Sequence, residues 1–423
     1  MIGKQFVAFL SGVLATCLCL ESASAQEWTR FRGPNGTGES EAKTIPAQWT
    51  NADYNWKVSV PGIGHSSPVL WGDHLFLLSA DPETAARHTL CYDALTGEKI
   101  WEKSFTSQPH HLHKQSSYAS GSPAVDEKHV YFAWASPTSI VLIAMTHDGQ
   151  EVWKRDLGAW SSQHGFGTSP VLYEDMVILS NSQEDKEKPD PLCVMMAFDN
   201  GSGKDRWKTT CHSVNTSYSV PVIFEPKNGS PQLISTNTGD GMFALDPANG
   251  RLLWTNPCFD KRTVSSPLVK GDMIFGSTGS GGGGNYLVAA QSDGKEPKQA
   301  YRMTTQAPYV PTSVARDDML FLMSDGGIAT CLDLKSGNVH WQKRIGGNYS
   351  SSLVRAHDKI YCPSMDGEVV VLAAEKEFKE LGRSSLGEGI RSTPAIANGQ
   401  MYLHSYSHLM SIGGTRKTAG VSK

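Results

Sequence analysis

The sequence repeats a short Ser/Thr-rich step, for example Ser66-Ser67-Pro68. Nine aromatic, histidine and arginine residues lie just before these steps, three to six positions ahead of the third residue of the step. They are His65, Tyr118, His164, Phe166, Tyr218, Arg262, Tyr309, Tyr349 and Arg391. These residue types combine large contact area with hydrogen-bond donors, as interfaces and ligand sites require. We expect them to form a binding ring at the mouth of a channel. The alternative is that they only pack on neighbouring elements.

Metal and catalytic chemistry have weaker support. The densest histidine group is His110, His111 and His113, but no Asp, Glu or Cys lies near it in the sequence. Zinc needs three or four converging ligands, so a solvated loop is favoured and no metal site is predicted. No convergent set of catalytic residues is visible, and we therefore assign no catalytic residue.

The elements that position these residues come from a repeat. Its signature is an Asp, a Gly a short way on, and a Trp four residues after that Gly. The copies are Asp93-Gly97-Trp101, Asp148-Gly149-Trp153, Asp199-Gly203-Trp207, Asp246-Gly250-Trp254 and Asp333-Gly337-Trp341. A period of roughly 50 residues predicts a radial or stacked repeat architecture.

The Ser/Thr-rich step occurs eight times, and apolar runs separated by tight turns follow it. This pattern predicts four antiparallel strands in each unit and an all-β, eight-bladed propeller over residues 51–413. The last unit, Ser392 to Gly413, contains only three strands. We expect the N-terminal strand Asn55 to Val60 to close it, since closure removes free sheet edges.

Six tryptophans begin outermost strands, where a flat side chain can cover the gap between blades. They are Trp56, Trp101, Trp153, Trp207, Trp254 and Trp341. We predict that they are structural residues that dock one blade on the next. Tyr301 and Leu381 lie near the same position in two degenerate units.

The cysteines allow one candidate disulfide. Cys211 and Cys258 each follow a blade tryptophan by four residues, in adjacent units. Equivalent points on neighbouring blades often lie beyond the roughly 7 Å that a disulfide spans between Cα atoms, which weighs against the bond.

The N-terminus indicates export. Lys4, an apolar stretch and Ala23-Ser24-Ala25 fit a secretory signal peptide over residues 1–25. We expect a periplasmic or extracellular protein without a transmembrane span after cleavage. Lipid attachment at Cys17 is disfavoured because Thr16 stands where a smaller residue is preferred. Residues 26–50 are expected to run over the propeller surface, and residues 414–423 to be disordered.

Composition excludes one class of partner. The formal net charge is −4, and the 38 basic residues form no cluster. Nucleic-acid binding therefore has no support.

The strings YDALTGEKIW, FDNGSGKDRW, LDPANGRLLW and LDLKSGNVHW resemble the repeat of the pyrroloquinoline quinone (PQQ)-like β-propeller family. The opening WTRFRGPNGTGES is similar to a secreted, BamB-like branch found in Planctomycetes and related bacteria. The resemblance covers nearly all of the chain after residue 25. It is specific for the fold and weak for function, because the repeated residues hold blades together.

The resemblance implies two functions. One is a non-catalytic binding or scaffold protein of the cell envelope, a monomer without cofactor that binds a protein or peptide. The other is a PQQ-dependent alcohol or sugar dehydrogenase with Ca²⁺. Such enzymes have a Trp platform and, in one branch, adjacent cysteines, but this chain contains no Cys-Cys pair and no Cys-x-x-Cys-His. Of these two functions, we favour the non-catalytic binding or scaffold protein.

Overall fold

Alternating apolar runs and tight turns produce strands throughout the part of the chain that the structure describes. The computed structural model describes residues 27–184 and 192–414. The predicted signal peptide, including Cys17, and residues 415–423 of the predicted tail lie outside the described residues. Within the described ranges, no helix is long and apolar enough to cross a membrane.

The secondary structure consists of short strands and two 3-10 turns, at Pro34–Gly36 and Asn51–Asp53. The N-terminal strands are β1 (Glu39–Ser40) and β2 (Trp56–Ser59). The strands of the first four blades are β3 (Val69–Trp71), β4 (His74–Ala80), β5 (Arg87–Asp93), β6 (Lys99–Phe105), β7 (Ala124–Val125), β8 (His129–Ser136), β9 (Ser139–Thr146), β10 (Glu151–Asp156), β11 (Val171–Tyr173), β12 (Met176–Ser182), β13 (Cys193–Asp199), β14 (Asp205–Thr210), β15 (Val222–Phe224), β16 (Gln232–Asn237), β17 (Gly241–Leu245) and β18 (Leu252–Asn256). The strands of the last four are β19 (Leu268–Lys270), β20 (Met273–Thr278), β21 (Tyr286–Gln291), β22 (Lys298–Met303), β23 (Val314–Arg316), β24 (Met319–Met323), β25 (Ile328–Asp333), β26 (Val339–Arg344), β27 (Val354–Ala356), β28 (Lys359–Pro363), β29 (Glu368–Ala373), β30 (Glu380–Ser385), β31 (Ala395–Ala397), β32 (Gln400–His404) and β33 (His408–Gly413).

The strands form eight sheets, which are the blades, numbered 1 to 8 from β3 onwards. Each blade contains four antiparallel strands, and β1 adds to blade 7 as a fifth strand, parallel to β27. The predicted all-β, eight-bladed propeller is confirmed.

The last blade takes its fourth strand from the N-terminal part of the chain, as predicted. Strand β2 pairs antiparallel with β33, so that Trp56 lies opposite Ser411 and Ser59 opposite His408. Blade 8 is thereby held next to blade 1 by two distant parts of the chain. A closed ring leaves no blade at an open end of the array.

Hydroxyl groups of the Ser/Thr-rich steps accept hydrogen bonds from backbone amides of the neighbouring blade. We call this series of hydrogen bonds the hydroxyl belt. The amide of Ser67 donates to Ser122 Oγ at 2.9 Å, and the amide of Ser122 donates to Ser169 Oγ at 2.9 Å. Five further links of the same kind are Val220 to Ser266, Ser266 to Thr312, Thr312 to Ser352, Ser352 to Thr393 and Thr393 to Ser67. Among the described residues, the link from Ser169 to the next blade is absent, because Val220 stands at the equivalent position and carries no hydroxyl.

The tryptophans lie at the outer joints between blades. A Cβ atom added at Gly203 would lie only 2.6 Å from the Trp153 ring, so the indole of blade 2 packs directly on the turn of blade 3. Gly203 also has a φ of 66°, which disfavours any residue with a side chain. The indole N–H of Trp153 donates to the carbonyl of Asn200 in the same turn at 2.8 Å.

The same contact recurs at other joints, with variations. Indole or phenol rings pack on turn glycines in the pairs Trp56 on Gly97, Trp101 on Gly149, Trp207 on Gly250 and Tyr301 on Gly337. Trp341 donates instead to the carbonyl of Glu375, and Trp254 donates to Gln232 Oε1. Blade 7 has Leu381 at this position, and buried Trp49 joins it in one apolar cluster.

The sequence predicts that residues 26–50 run over the propeller surface, but several side chains of this N-terminal segment are buried. Trp28 is fully buried and pairs with Leu70 of β3, while Arg32 is also fully buried and donates to the Ser313 carbonyl at 2.6 Å. Arg30 donates to the carbonyl of Pro221 at 2.5 Å. These contacts carry the chain across the end of the channel from blade 1 to blades 4 and 6. Its inward-facing arginines satisfy backbone carbonyls that the inner strands leave unpaired.

The candidate pair of cysteines is not brought together. Cys211 packs in a cluster with Cys193 and Trp207, whereas Cys258 lies against a different cluster with Trp254. All six cysteines of the described residues are free thiols. The four-residue spacing after each tryptophan places the two thiols at separate blade joints.

Loss of one belt hydroxyl should destabilise the ring. In Ser122→Ala the amide of Ser67 stays buried without its acceptor, which we expect to cost about 1–3 kcal/mol of unfolding free energy. Urea unfolding followed by tryptophan fluorescence measures the difference. The control is Ser230→Ala at an exposed position, expected to change stability by less than about 0.5 kcal/mol. Equal unfolding midpoints for the two variants would show that the belt contributes no stability.

Candidate functional site

The channel contains a cavity of about 230 Å³. Hydroxyl-belt residues form its wall, among them Ser67, Ser122 and Ser352. Phe31, which lies between the two buried arginines of the N-terminal segment, also lines the cavity. Because that segment crosses one end of the channel, we describe Phe31 as the floor and the opposite end as the mouth.

Most residues of the expected ring lie around this cavity. The structure places His65, His164, Phe166, Tyr218, Arg262, Tyr309 and Arg391 in its lining. They come from the connections that enter the innermost strands, which converge on the channel axis.

Two residues of the expected ring lie elsewhere, and for them the packing alternative applies. Tyr118 donates its hydroxyl to the carbonyl of His110 at 2.7 Å, and the Arg87 guanidinium lies 5.0 Å from the centre of its ring. Tyr349 is 2% exposed and packs with Trp341 and other core residues between blades 6 and 7. Large rings at these positions gain more by burial against the next blade than by facing the channel.

Sequence reasoning missed Phe31, Gln115, Val264 and Val310, which also line the cavity. Phe31 belongs to a segment outside the repeat, so the repeat period contains no signal for it. Residues 30–32 lie in a turn, and Arg32 has a φ of 64°, so no strand periodicity predicts the direction of the Phe31 side chain either.

Arg391 is the dominant charge on one side of the cavity. Its Nε donates to the Tyr406 hydroxyl at 2.9 Å and its Nη1 to Met365 Sδ at 3.4 Å. Among the residues that the structure describes, no carboxylate lies within ion-pair distance of it. The His65 ring lies beside Tyr406, with 5.9 Å between ring centres. Burial, helped by the charge of Arg391, lowers the pKa of His65 to about 3, so this histidine is neutral at pH 7.

The opposite side contains a neutralised arginine. Arg262 Nη2 lies 2.6 Å from Glu184 Oε2, and both side chains are largely buried. Burial opposes the charged form of Arg262, but the Glu184 carboxylate raises its pKa overall. Burial and the nearby Arg262 lower the pKa of His164 to about 4, and burial raises the pKa of Tyr218 to about 12. At neutral pH this side therefore offers uncharged donors and acceptors.

The residue types of the lining decide which cofactor it could hold. No described residue of the lining is Asp, Glu or Trp, and the belt hydroxyls are already used as acceptors. Ca²⁺ takes six to eight oxygen ligands, usually including carboxylates. The lining therefore does not fit PQQ with Ca²⁺. In the described ranges, no three His, Cys, Asp or Glu side chains converge as a metal site would require.

Comparison with known proteins establishes the family. A family model described as outer membrane protein assembly factor BamB matches residues 86–209 and 192–412. The chain belongs to the PQQ-like β-propeller family. A curated relative, outer membrane protein assembly factor BamB of Yersinia pestis, is 23% identical over 277 residues. The match covers 60% of this chain and 66% of that relative, just under two thirds of its length.

Solved structures show the same fold in proteins of different function. The crystal structure of BamB from Moraxella catarrhalis has a TM-score of 0.62 at 15% identity and covers 86% of this chain and 97% of that one. Quinohemoprotein alcohol dehydrogenase from Comamonas testosteroni has a TM-score of 0.59 at 12% identity and covers 92% of this chain and 80% of that one. At such identities the likeness shows the fold alone, so function must be argued from the cavity.

A buried histidine behind the cavity should make stability depend on pH. His404 is fully buried, and its Nδ1 donates to the Ser66 carbonyl at 2.8 Å. Burial lowers its pKa to about 4, from about 6.5 in the unfolded chain. Between these values the unfolded chain binds the proton and the folded one does not. This contribution to stability is therefore complete above pH 6.5 and declines as the pH falls towards 4.

We expect His404→Gln, which can still donate to Ser66, to flatten that decline by about 1.4 kcal/mol per pH unit. Urea unfolding at pH values between 4 and 7 measures the slope. The control is His111→Gln, the same substitution at an exposed position. A parental slope in the His404 variant would show that this histidine titrates normally.

Proposed function

We propose that this protein is a non-catalytic binding or scaffold protein of the bacterial cell envelope, which captures a segment of another protein or peptide in the cavity. The observation that supports this most directly is the cavity, whose described lining includes the Arg391 guanidinium, without an ion-pair partner, beside aromatic side chains and neutral hydrogen-bonding groups. Propeller loops at a channel mouth converge in this way on a single ligand position.

The chemistry of the lining suggests the kind of segment. The planar guanidinium of Arg391 has donors left beyond those used on Tyr406 and Met365, and such donors suit a carboxylate. Phe31 and Phe166 offer apolar contact close by. We therefore expect a segment that carries a carboxylate next to an apolar side chain.

The size of the cavity limits how much of the partner enters. A volume of about 230 Å³ is below the roughly 300–1,000 Å³ of typical small-molecule pockets. One or two side chains of a segment fit, and the rest would lie on the rim. Affinity would then depend on a few buried anchors, as is usual at protein interfaces.

The envelope location rests on two supports. The matching family model and the Yersinia pestis relative are both named for outer membrane protein assembly. The N-terminal residues 1–25 also have the pattern of a secretory signal. We propose an exported protein, periplasmic or extracellular, that acts as a monomer without a lipid anchor or cofactor.

Charge removal at the cavity should weaken capture. We expect Arg391→Gln to lower affinity for the partner at least about tenfold, equivalent to about 1.4 kcal/mol, because a buried carboxylate would lose its counter-charge. Purified protein is immobilised, the partner is captured from a native envelope fraction, and its affinity is measured for parent and variant. The control is Arg251→Gln, at a 70% exposed side chain on the outer turn of blade 4.

Two outcomes would contradict the proposal. One is parental capture by Arg391→Gln, which would place the binding surface away from the cavity. The other is enzymatic activity: after incubation with PQQ and Ca²⁺, bound-quinone absorbance together with dye-linked oxidation of an alcohol or sugar would favour the dehydrogenase. If the cavity is the binding site, the control Arg251→Gln melts like the parent and captures the partner with parental affinity.

A further inference from the structure

Two thiols in blade 3 face each other across neighbouring strands. The antiparallel register of β13 and β14 sets Val194 opposite Thr210, which places Cys193 opposite Cys211 one residue further on. The amide of Cys211 donates to the carbonyl of Cys193 at 2.8 Å, so the pairing continues to this point. Directly opposed residues carry their side chains on the same face of the sheet.

The distance between the two backbones suits a disulfide. Opposed residues of a hydrogen-bonded antiparallel pair have Cα atoms about 5.5 Å apart. Disulfides join Cα atoms at about 4.4–6.8 Å. The register therefore brings these two cysteines together at one point of the sheet, whereas Cys211 and Cys258 lie at different blade joints.

The surroundings of the pair are apolar and closed to solvent. Cys193 is 4% exposed and Cys211 is 5% exposed, and both belong to the cluster that contains Trp207 and Phe243. Two effects raise the pKa of Cys211: mainly a hydrogen bond with the Cys193 thiol, and in second place burial. Protonated, buried thiols react slowly, so a bond between them would form during folding and then resist exchange.

We infer that Cys193 and Cys211 form an intrachain disulfide when the chain folds in an oxidising compartment. The inference uses the exported location of the proposed function, because such bonds persist outside the cytosol. The oxidant is a disulfide donor. One cysteine thiolate attacks the donor to give a mixed disulfide, and the second displaces the donor thiol. One S–S bond forms and one breaks, while two electrons and two protons pass to the donor.

The bond would lie near described residues of the cavity mouth. After β12 the chain leads to Glu184, which pairs with Arg262, and β13 then begins at Cys193. After β14 the chain passes through Cys211 to Tyr218 in the cavity lining. A cross-link between Cys193 and Cys211 would fix the start of β13 to the end of β14, from which the chain continues to Tyr218. The disulfide thus has a structural role close to the binding site.

Refolding under defined redox conditions tests the inference. The full chain is unfolded in urea with reductant, refolded in a mixture of reduced and oxidised glutathione, alkylated and digested for mass spectrometry. We expect a cross-linked peptide pair that contains Cys193 and Cys211, about 2 Da lighter than the sum of the two reduced peptides. The oxidised protein should also melt at a higher temperature than the reduced one.

Variants separate this pair from other bonds. Cys258→Ser should retain the cross-link, whereas Cys193→Ser should leave Cys211 alkylated and remove the difference in melting temperature. Full alkylation of both cysteines in the refolded parent, or a link from Cys211 to Cys258, would overturn the inference. The measurement uses purified protein, so either result leaves the proposed binding function standing. Conversely, if the parent protein captured no partner, the proposed function would be refuted and the evidence for the cross-link would be unchanged.

Discussion

The pairing of β2 with β33 closes the ring, and the other inter-blade contacts depend on it. With blade 8 completed, the amide of Thr393 reaches Ser67 Oγ at 2.8 Å and the hydroxyl belt continues from blade 8 to blade 1. On the outside, Trp56 of β2 packs on Gly97 of blade 1 as the internal tryptophans pack on theirs. One short strand therefore supplies both the last sheet and the last docking side chain.

Closure also creates the site. Eight converging inner strands leave a channel, and the N-terminal segment crosses one end of it with Phe31 towards the cavity. Its neighbours Arg30 and Arg32 are buried and donate to the carbonyls of Pro221 and Ser313, just before β15 and β23. Burial lowers the pKa of each arginine to about 9, and both remain charged at pH 7. The described lining of the cavity thus combines Phe31 from this segment with Arg391 from the connection before blade 8.

The repeated parts of this structure could be predicted from sequence, and the unrepeated parts could not. Blade number, strand order and closure follow from the Ser/Thr steps and the Asp/Gly/Trp turns, because the same packing problem recurs in every unit. The position of Phe31 and the departure of Tyr118 and Tyr349 from the ring depend on contacts between distant segments. Those contacts leave no periodic signal, and the opposed pair Cys193 and Cys211 became visible only with the strand register.

The dependence of the ring on its N-terminal strand is tested most directly by thermal unfolding of a chain that lacks residues 1–62. Without β2, blade 8 loses the strand opposite β33, the Trp56 contact and the floor of the channel together. We predict that this chain loses the cooperative transition of the parent or melts far below it. A cooperative transition at the parental temperature would contradict the account, because blade 8 would then be stable without β2.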